Sequence, residues 1–381
     1  MANELDNVIP QLLAQGVLAL RENAVMPRLV NRSYEGLASQ RGSVVEVPIP
    51  SAIAARDVAP GVTVNSNVDS APTHALVTLD FWKEAPFHLS DKDMMETMAG
   101  TIPMQASEAI KSLGNAMDTF ISGKHTGLFG AVGTAGTTPF ATNITAASDA
   151  RKLLNKQLAP MTDRRAVLDP DAEANFLILA NILQTDQRGD QGGIIAGSIG
   201  RKLGIDWHMD QNVTSYTPGV AWVTGWAAST VGGAAGDTTL NIINATATGS
   251  VKVGDIFTLS AGGLGYVVTA AATAAATTPL AISFYPPLRQ AVATGSALII
   301  GAAATAYAVN LVFHRDCFAW ASRPLASIQG LGSLIQSITD PITGVSLRLE
   351  VSRQFKQTTF SYDVLGGANV VRPELGVKIK G

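Results

Sequence analysis

The hydrophobic pattern predicts a long two-armed β excursion over residues 43–89. The alternating apolar positions are Val45, Val47 and Ile49 in the outgoing arm and Val77, Leu79 and Phe81 in the return arm. This period of two is typical of half-buried strands, and the Gly, Pro and Asn residues between the arms favour turns. An arm of about twenty residues would reach about 60 Å. Because such a hairpin is marginally stable alone, it needs another surface, on its own chain or on a neighbouring copy. The second option would make this an assembly protein.

A long amphipathic helix is predicted directly behind this excursion, from Pro103 to Gly123. Its apolar residues recur every three or four positions, at Ala106, Ile110, Leu113, Met117, Phe120 and Ile121, which is the spacing of one helix face. Similar spacing predicts an N-terminal helix within 7–30 and two further helices at about 146–158 and 170–184. A short strand, 166–168, separates the last two.

The composition changes near Ser229. From there to Thr305 the charged residues are Asp237, Lys252, Asp255 and Arg289, and short β-like runs alternate with Gly, Ala and Thr. This pattern is typical of a small sandwich or barrel, and strand character resumes at 307–313, so we interpret 229–305 as an inserted all-β domain. Strands are also predicted at 205–209, 220–224, 345–355 and 359–365.

Charge and composition exclude several classes of protein. Hydrophobic residues make up 46% of the 381 positions and charged residues 15%, with a formal net charge of -3. A dedicated nucleic-acid binder would need clustered Lys and Arg. The single cysteine, Cys317, excludes an intrachain disulfide framework. Glu4 and Asp6 precede the first apolar run, where a secretory signal carries positive charge, and we predict no membrane span.

No catalytic or metal constellation emerges from the motifs. The triplet from His314 to Asp316 matches the start of a kinase catalytic loop but lacks the residues that complete it. The glycine-rich run 192–200 lacks the Lys and Ser or Thr of a P-loop. His208 and Asp210 could share a strand face, which we interpret as surface chemistry, and Cys317 as a buried thiol. The sequence therefore predicts a protein that is not an enzyme, with no cofactor and no metal.

Three segments resemble a known family. They are Arg165 to Pro170 (RAVLDP), Asn310 to Leu325 (NLVFHRDCFAWASRPL) and Asp363 to Glu374 (DVLGGANVVRPE). Together with the order of elements along nearly the whole chain, they resemble the major capsid proteins of tailed bacteriophages with the HK97-type fold, most closely the P22-type coat proteins. The β-rich insertion is similar to the one in that group. Lys83 is the single Lys of the extended loop and lies near its base, which argues against crosslinking through the loop.

The resemblance implies an α+β, HK97-like capsid fold with an inserted small all-β domain. The implied parts are an N-terminal arm (1–40), an extended-loop hairpin (41–89), the spine helix of the peripheral domain (90–125), an axial domain (126–228 and 306–325), the insertion (229–305), and peripheral-domain strands with the C-terminal tail (326–381).

The resemblance also implies assembly rather than turnover. Pentamers and hexamers of the chain would form an icosahedral shell around double-stranded DNA, which it contacts non-specifically, with a scaffolding protein and a portal as partners. The protein would be part of the virion and assemble in the host cytoplasm. At the tip of the extended loop, the predicted intersubunit contacts are Arg56, Asp57, Val62, Val64 and Asp69. Two alternatives remain open: an encapsulin-like nanocompartment shell and a secreted β-rich surface protein.

Overall fold

The structure of the chain is a computed structural model. It describes residues 8–34, 44–50, 53, 55, 57, 72–92, 101–179, 182, 197, 199–229, 232–259, 263–300, 304–326 and 333–381. The helices are α1 Val8–Asn23, α2 Met26–Leu29, α3 Thr101–Gly123, α4 Thr145–Lys156 and α5 Pro170–Ile178, with short 3-10 turns at Lys124–Gly127, Arg315–Cys317 and Pro373–Leu375. The long helix predicted from Pro103 to Gly123 is confirmed as α3, and its buried residues Ile110, Met117 and Ile121 follow the expected face.

The strands are numbered in chain order. They are β1 Val44–Ile49, β2 Thr73–Thr78, β3 Phe81–Ser90, β4 Gly130–Gly133, β5 Arg164–Leu168, β6 Gly200–Lys202, β7 Ile205–Met209, β8 Ser215–Tyr216, β9 Ala227–Ala228, β10 Thr239–Ile243, β11 Gly249–Val251, β12 Ile256–Thr258, β13 Tyr266–Val268, β14 Ala272–Ala274, β15 Leu280–Tyr285, β16 Ile299–Ile300, β17 Tyr307–His314, β18 Phe318–Ser322, β19 Ser333–Thr339, β20 Ser346–Gln354, β21 Gln357–Val370 and β22 Gly376–Lys380.

A seven-stranded sheet forms the centre of the molecule, in the order β4-β22-β17-β5-β7-β6, with β8 paired to β17. The middle strand β17 is antiparallel to both β22 and β5, whereas β4 and β7 join in parallel. Parallel pairs need a crossover connection, and α4 provides the one between β4 and β5 while it packs on β4 and β22. Most of β17 is buried, as expected for a central strand covered on both faces.

A second, five-stranded sheet carries the long helix. Its strand β21 pairs with β3 along one edge, and with β20 and then β18 along the other. Helix α3 packs on β3 and β21, and α1 packs on α3, β19 and β20. The two helices approach closely at Gly16, where an added Cβ would lie 2.5 Å from Cδ1 of Ile110.

The strand pairing crosses the predicted domain boundaries. The bounds implied by the resemblance assign β18 to the axial domain, but β18 belongs to the five-stranded sheet. They assign β22 to the peripheral strands, but β22 pairs with β17 of the seven-stranded sheet. The chain passes between the sheets in the turn Arg315–Cys317. It passes between them again in the turn Pro373–Leu375, from β21 to β22. The two sheets share a continuous core, which the order of elements could not reveal.

The predicted return arm of the hairpin divides into two strands. β1 and β2 form an antiparallel pair from Val44 opposite Thr78 to Ile49 opposite Thr73. β3 leaves this pair and joins β21 instead, so the prediction of one arm reaching residue 89 is wrong. The physical reason is the side chain of Phe81, whose ring lies 4.9 Å from that of Phe120 on α3 and 6.0 Å from that of Trp320.

The inserted β unit has its own core. A six-stranded sheet runs in the order β16-β12-β13-β15-β10-β9, beside a small β11-β14 pair. Trp222 and Trp226, which precede the predicted boundary at 229, are buried in this core with Phe257. The strand predicted at 220–224 is absent from this described stretch, because the chain turns there through bonds from Trp222 N–H to Gly219 O and from Val223 N–H to Ala221 O.

Candidate assembly surfaces

Most of the predicted contact residues at the loop tip lie outside the described residues. These are Arg56, Val62, Val64 and Asp69. Asp57 is described and is exposed. The tip contacts therefore stay a prediction from the sequence.

The base of the hairpin packs on its own chain. Val45, Val47 and Val77 form a buried cluster with Ala319 and Ala321 of β18. The fit is close, because Nδ2 of Asn369 donates to the Leu76 carbonyl at 2.7 Å, and a Cβ added to Gly367 would lie 2.0 Å from the Thr78 carbonyl oxygen. The hairpin needed a supporting surface, and for its base that surface is intramolecular.

Residues 24–33, which we call the strap, connect the long helix to both sheets. At its start, Asp118 of α3 accepts hydrogen bonds from the backbone N–H groups of Val25 (3.1 Å) and Met26 (2.9 Å). At the end of α2, Nη1 of Arg165 on β5 donates to the carbonyls of Arg28 (3.1 Å) and Leu29 (2.7 Å). A carboxylate at the N-terminus and a guanidinium at the C-terminus both complement the unpaired backbone groups of a helix.

The strap then joins the five-stranded sheet. Asn31 donates its backbone N–H to the Phe318 carbonyl (3.0 Å) and accepts from the backbone N–H of Trp320 (2.9 Å). Its side chain also donates to Oδ1 of Asp316 at 2.6 Å. The strap is therefore hydrogen-bonded to α3, to the seven-stranded sheet and to the five-stranded sheet within ten residues.

The carboxyl of Asp118 lies in an unusual environment for an acidic group. Burial, reinforced by the nearby Asp210 carboxyl, raises the pKa of Asp118 from 3.8 to about 7, although the two backbone N–H donors and Arg28 act in the opposite direction. Asp210 is itself buried, and burial raises its pKa too. An ionised carboxylate is costly away from water, so Asp118 holds its proton to a higher pH in the folded subunit than in the unfolded chain.

A second buried polar cluster links the inserted unit to the central sheet. Asp255, at the start of β12, accepts from the Tyr216 hydroxyl (2.9 Å) and from the backbone N–H of Lys252 (2.8 Å). The Lys378 ammonium on β22 is fully buried and lies 5.9 Å from the centre of the Tyr216 ring. Burial, with the charge of Lys380, lowers the pKa of Lys378 from 10.5 to about 7.

The candidate catalytic and metal motifs have structural roles where they are described. The backbone N–H of Asp316 donates to Nδ1 of His314 (3.2 Å), and the Asp316 carboxylate holds the strap. Burial raises the pKa of the Cys317 thiol, which makes it a poor nucleophile. His208 is exposed whereas Asp210 is buried, so this pair does not share one face. Within the described ranges, no three His, Cys, Asp or Glu side chains converge to hold a metal ion.

Several exposed apolar side chains were not singled out from the sequence. Phe355 is 87% exposed at the turn between β20 and β21, and Trp82 is 63% exposed on β3. The sequence signal for an exposed Phe355 is its position in the two-residue turn Phe355-Lys356, between two long β runs. This turn lacks the usual Gly or Asn. The sequence signal for an exposed Trp82 is strand alternation, because burial of Phe81 on one face of β3 directs Trp82 to the other face. Among the described helices, none is long and apolar enough to cross a membrane.

Known proteins resemble this chain in fold rather than in sequence. No protein-family model and no curated protein matches it. A chain from the structure of Mycobacterium phage Che8 superposes with a TM-score of 0.52 at 16% identity, covering 93% of this chain and 90% of that one. The capsid structure of Cyanophage P-SCSP1u gives a TM-score of 0.52 at 12% identity, covering 94% of this chain and 88% of the other. The mature capsid of bacteriophage PhiM1 gives 0.50 at 10% identity, with 94% and 87% covered. This chain is therefore an α+β protein with the fold of chains found in phage capsid structures.

Proposed function

We propose that this chain is the major capsid protein of a tailed bacteriophage, of the HK97-type fold and its P22-like branch. The observation that carries the proposal is the similarity of fold over 94% of the chain to a cyanophage capsid chain. Its role is structural and non-enzymatic. Identical subunits assemble as pentamers and hexamers, and symmetry repeats a modest contact many times over a closed shell.

The parts of the subunit take the roles implied by the resemblance. The hairpin of β1 and β2 is the base of the extended loop, whose tip residues Arg56, Asp57, Val62, Val64 and Asp69 contact a neighbouring subunit. The packing of the hairpin base on β18 and β21 supports this role, because it fixes the direction in which the loop leaves the subunit. In this proposal residues 1–40 are the arm, α3 is the spine helix, the seven-stranded sheet belongs to the axial domain, the unit of β9 to β16 is the insertion, and the five-stranded sheet belongs to the peripheral domain.

The exposed apolar residues support an assembly role. A phenylalanine with 87% of its surface in water, at a tight turn, adds nothing to the packing of its own subunit. Trp82 lies exposed on β3, on the face of the strand opposite Phe81, whose ring packs against the long helix. Aromatic residues are common energetic anchors of interfaces. We therefore place Phe355 and Trp82 in contacts between subunits.

The partners follow from the same proposal. The shell encloses double-stranded DNA, and the net charge of -3 suits a surface that holds DNA without gripping it. A scaffolding protein and a portal take part in assembly, which occurs in the host cytoplasm, and the product is the virion.

The test is electron microscopy of the purified protein, expressed alone and together with the scaffolding protein encoded near it. Uniform closed shells, or rings of five and six, are the expected result. Replacing Val62 and Val64 together by Asp should abolish shells while the subunit stays folded. The control is Val253→Asp, which places one such charge at an exposed valine of the inserted unit and should leave shells intact. Dispersed monomers of the wild-type protein at high concentration, even with scaffold present, would contradict the proposal.

A further inference from the structure

The turn that ends α4 contains a leucine in a conformation that favours glycine. Leu158 has a φ of 61°. Its backbone N–H donates to the Asn155 carbonyl (3.1 Å), and the N–H of Ala159 donates to the Leu154 carbonyl (3.0 Å). These two bonds define a Schellman motif with Leu158 at the left-handed position, where Gly or Asn is usual.

The exposure of Leu158 separates it from the other large apolar residues with positive φ. Phe140 and Leu203 also have positive φ, but both pack in the main core, and the Phe140 ring lies 4.7 Å from that of Phe176. Leu158 is 88% exposed, and Met161, three residues later, is 69% exposed. Packing inside the subunit therefore does not compensate the backbone strain of Leu158. An uncompensated strained residue is a reason to look for a contact outside the subunit.

Basic residues lie on the helix that leads into this exposed turn. Arg151, Lys152 and Lys156 lie on the outer side of α4 and border an open depression of about 520 Å³. Lys152 pairs with Asp149 at 2.6 Å, so the side retains a positive balance. We call Arg151, Lys152, Lys156, Leu158 and Met161 the Leu158 patch. It combines two exposed apolar side chains of the turn with three basic side chains of the helix that leads into it.

A face of opposite charge lies elsewhere on the same chain. On α5, Asp171, Ala174 and Ile178 recur at helical spacing and are all exposed, with Ile178 at 70%. The opposite side of α5 buries Phe176 against Phe140 and Trp207. Because α4 packs on β4 and β22 whereas Trp207 belongs to β7, the two faces lie over opposite halves of the seven-stranded sheet.

We propose that the Leu158 patch of one subunit docks onto the Asp171–Ile178 face of a second copy of this chain. The inference rests on the proposed function and names one contact of the assembly. Leu158 and Met161 meet Ile178, and Arg151 faces Asp171. A contact between two different patches of identical subunits is heterologous, and repeated by rotation it closes a ring.

The variant Leu158→Asn distinguishes a contact of Leu158 with a second subunit from a role of Leu158 within its own subunit. Asn tolerates the left-handed conformation better than Leu, so the melting temperature of the unassembled variant should be unchanged or rise by about 1–3 °C. Assembly, followed by light scattering, should slow at least about tenfold, because the apolar centre of the contact is lost. Thr277→Gly is the matched control, since Thr277 also has a positive φ (61°) and is exposed, but on the inserted unit. It should assemble as the wild type does.

Charge reversal identifies the partner face. Arg151→Glu and Asp171→Arg should each slow assembly, and the two combined in one chain should restore it, because each new charge again faces its opposite. Assembly of Leu158→Asn at the wild-type rate, or failure of the double reversal to restore it, overturns the proposed contact while the capsid function stands. If the wild-type chain forms no rings or shells, the capsid function falls, and this contact with it.

Discussion

The replacement Asp118→Asn tests whether the strap is held by a titrating carboxyl. Between its ordinary pKa of 3.8 and its folded value of about 7, the folded subunit holds a proton on Asp118 that the unfolded chain has released. The contribution of this proton to the free energy of unfolding is fully present below about pH 4, and it is lost as the pH rises through about 7. At about 1.36 kcal/mol per pKa unit, the loss has an upper limit of about 4 kcal/mol.

Asparagine resembles the protonated acid at this position. Its Oδ1 can accept from one of the two backbone N–H groups of the strap, and its amide stays neutral beside Asp210. We therefore expect the variant to match the wild type within about 1 kcal/mol at about pH 4, and to exceed it by up to about 4 kcal/mol at about pH 8. Other groups also titrate, including Asp210 and Asp255, whose pKa values burial raises. The difference between variant and wild type isolates Asp118 from these.

Urea unfolding of the unassembled subunit, followed by tryptophan fluorescence at both pH values, measures this difference. Glu108→Gln is the control, because Glu108 lies on the same helix, exposed and paired with Lys111, and its replacement should retain the wild-type pH dependence. If Asp118→Asn were less stable than the wild type by one constant amount at both pH values, the carboxyl would be ionised throughout, and the reasoning would be refuted.

Three further changes test other contacts. Arg165→Met leaves two carbonyls of α2 without their donor, so we expect a loss of about 1–3 kcal/mol and faster amide exchange in the strap, measured by mass spectrometry. Lys378→Met keeps the apolar stem without the ammonium. Because the pKa of Lys378 falls from 10.5 to about 7, the variant should melt above the wild type at about pH 6, and the gap should close toward about pH 10. Gly367→Ala places a Cβ 2.0 Å from the Thr78 carbonyl oxygen and should expose the hairpin base to proteases. The control Gly123→Ala, whose Cβ would have nothing within 4 Å, should not. Equal protease resistance of both variants would contradict the close packing.

The elements with strong local periodicity could be predicted from the sequence. The spacing of Ile110, Leu113 and Met117 identified α3, and the strands of the inserted unit largely fell where short β-like runs were predicted. These signals are local, since one buried face imposes its period on consecutive residues. Strand partners are not local. The alternation of β3 is the same whether it pairs with β1 or with β21, and the break between the two strands is only Leu79-Asp80.

The strap could not be predicted for the same reason. Asp118 stands between the apolar residues Met117 and Phe120, and nothing in its neighbourhood identifies Val25 and Met26, more than ninety positions earlier, as its donors. Arg165 lies within a segment that resembles the P22-type proteins, yet its bond to the Leu29 carbonyl spans 136 positions. Hydrogen bonds that join distant segments follow from the packed structure rather than from any local pattern.

The intramolecular support of the hairpin base changes how assembly relates to folding. If the whole ribbon depended on a neighbour, a variant unable to assemble would also be unable to fold, because an unsupported hairpin is marginal. The base instead buries Val45, Val47 and Val77 on its own chain, and the strap joins the long helix to both sheets. In the proposed assembly, the surfaces left for neighbours are exposed side chains such as Phe355 and Leu158, whose removal takes nothing from the subunit core. The proposal therefore predicts that folding and assembly are separable, so variants at these positions should accumulate as folded subunits rather than as aggregates.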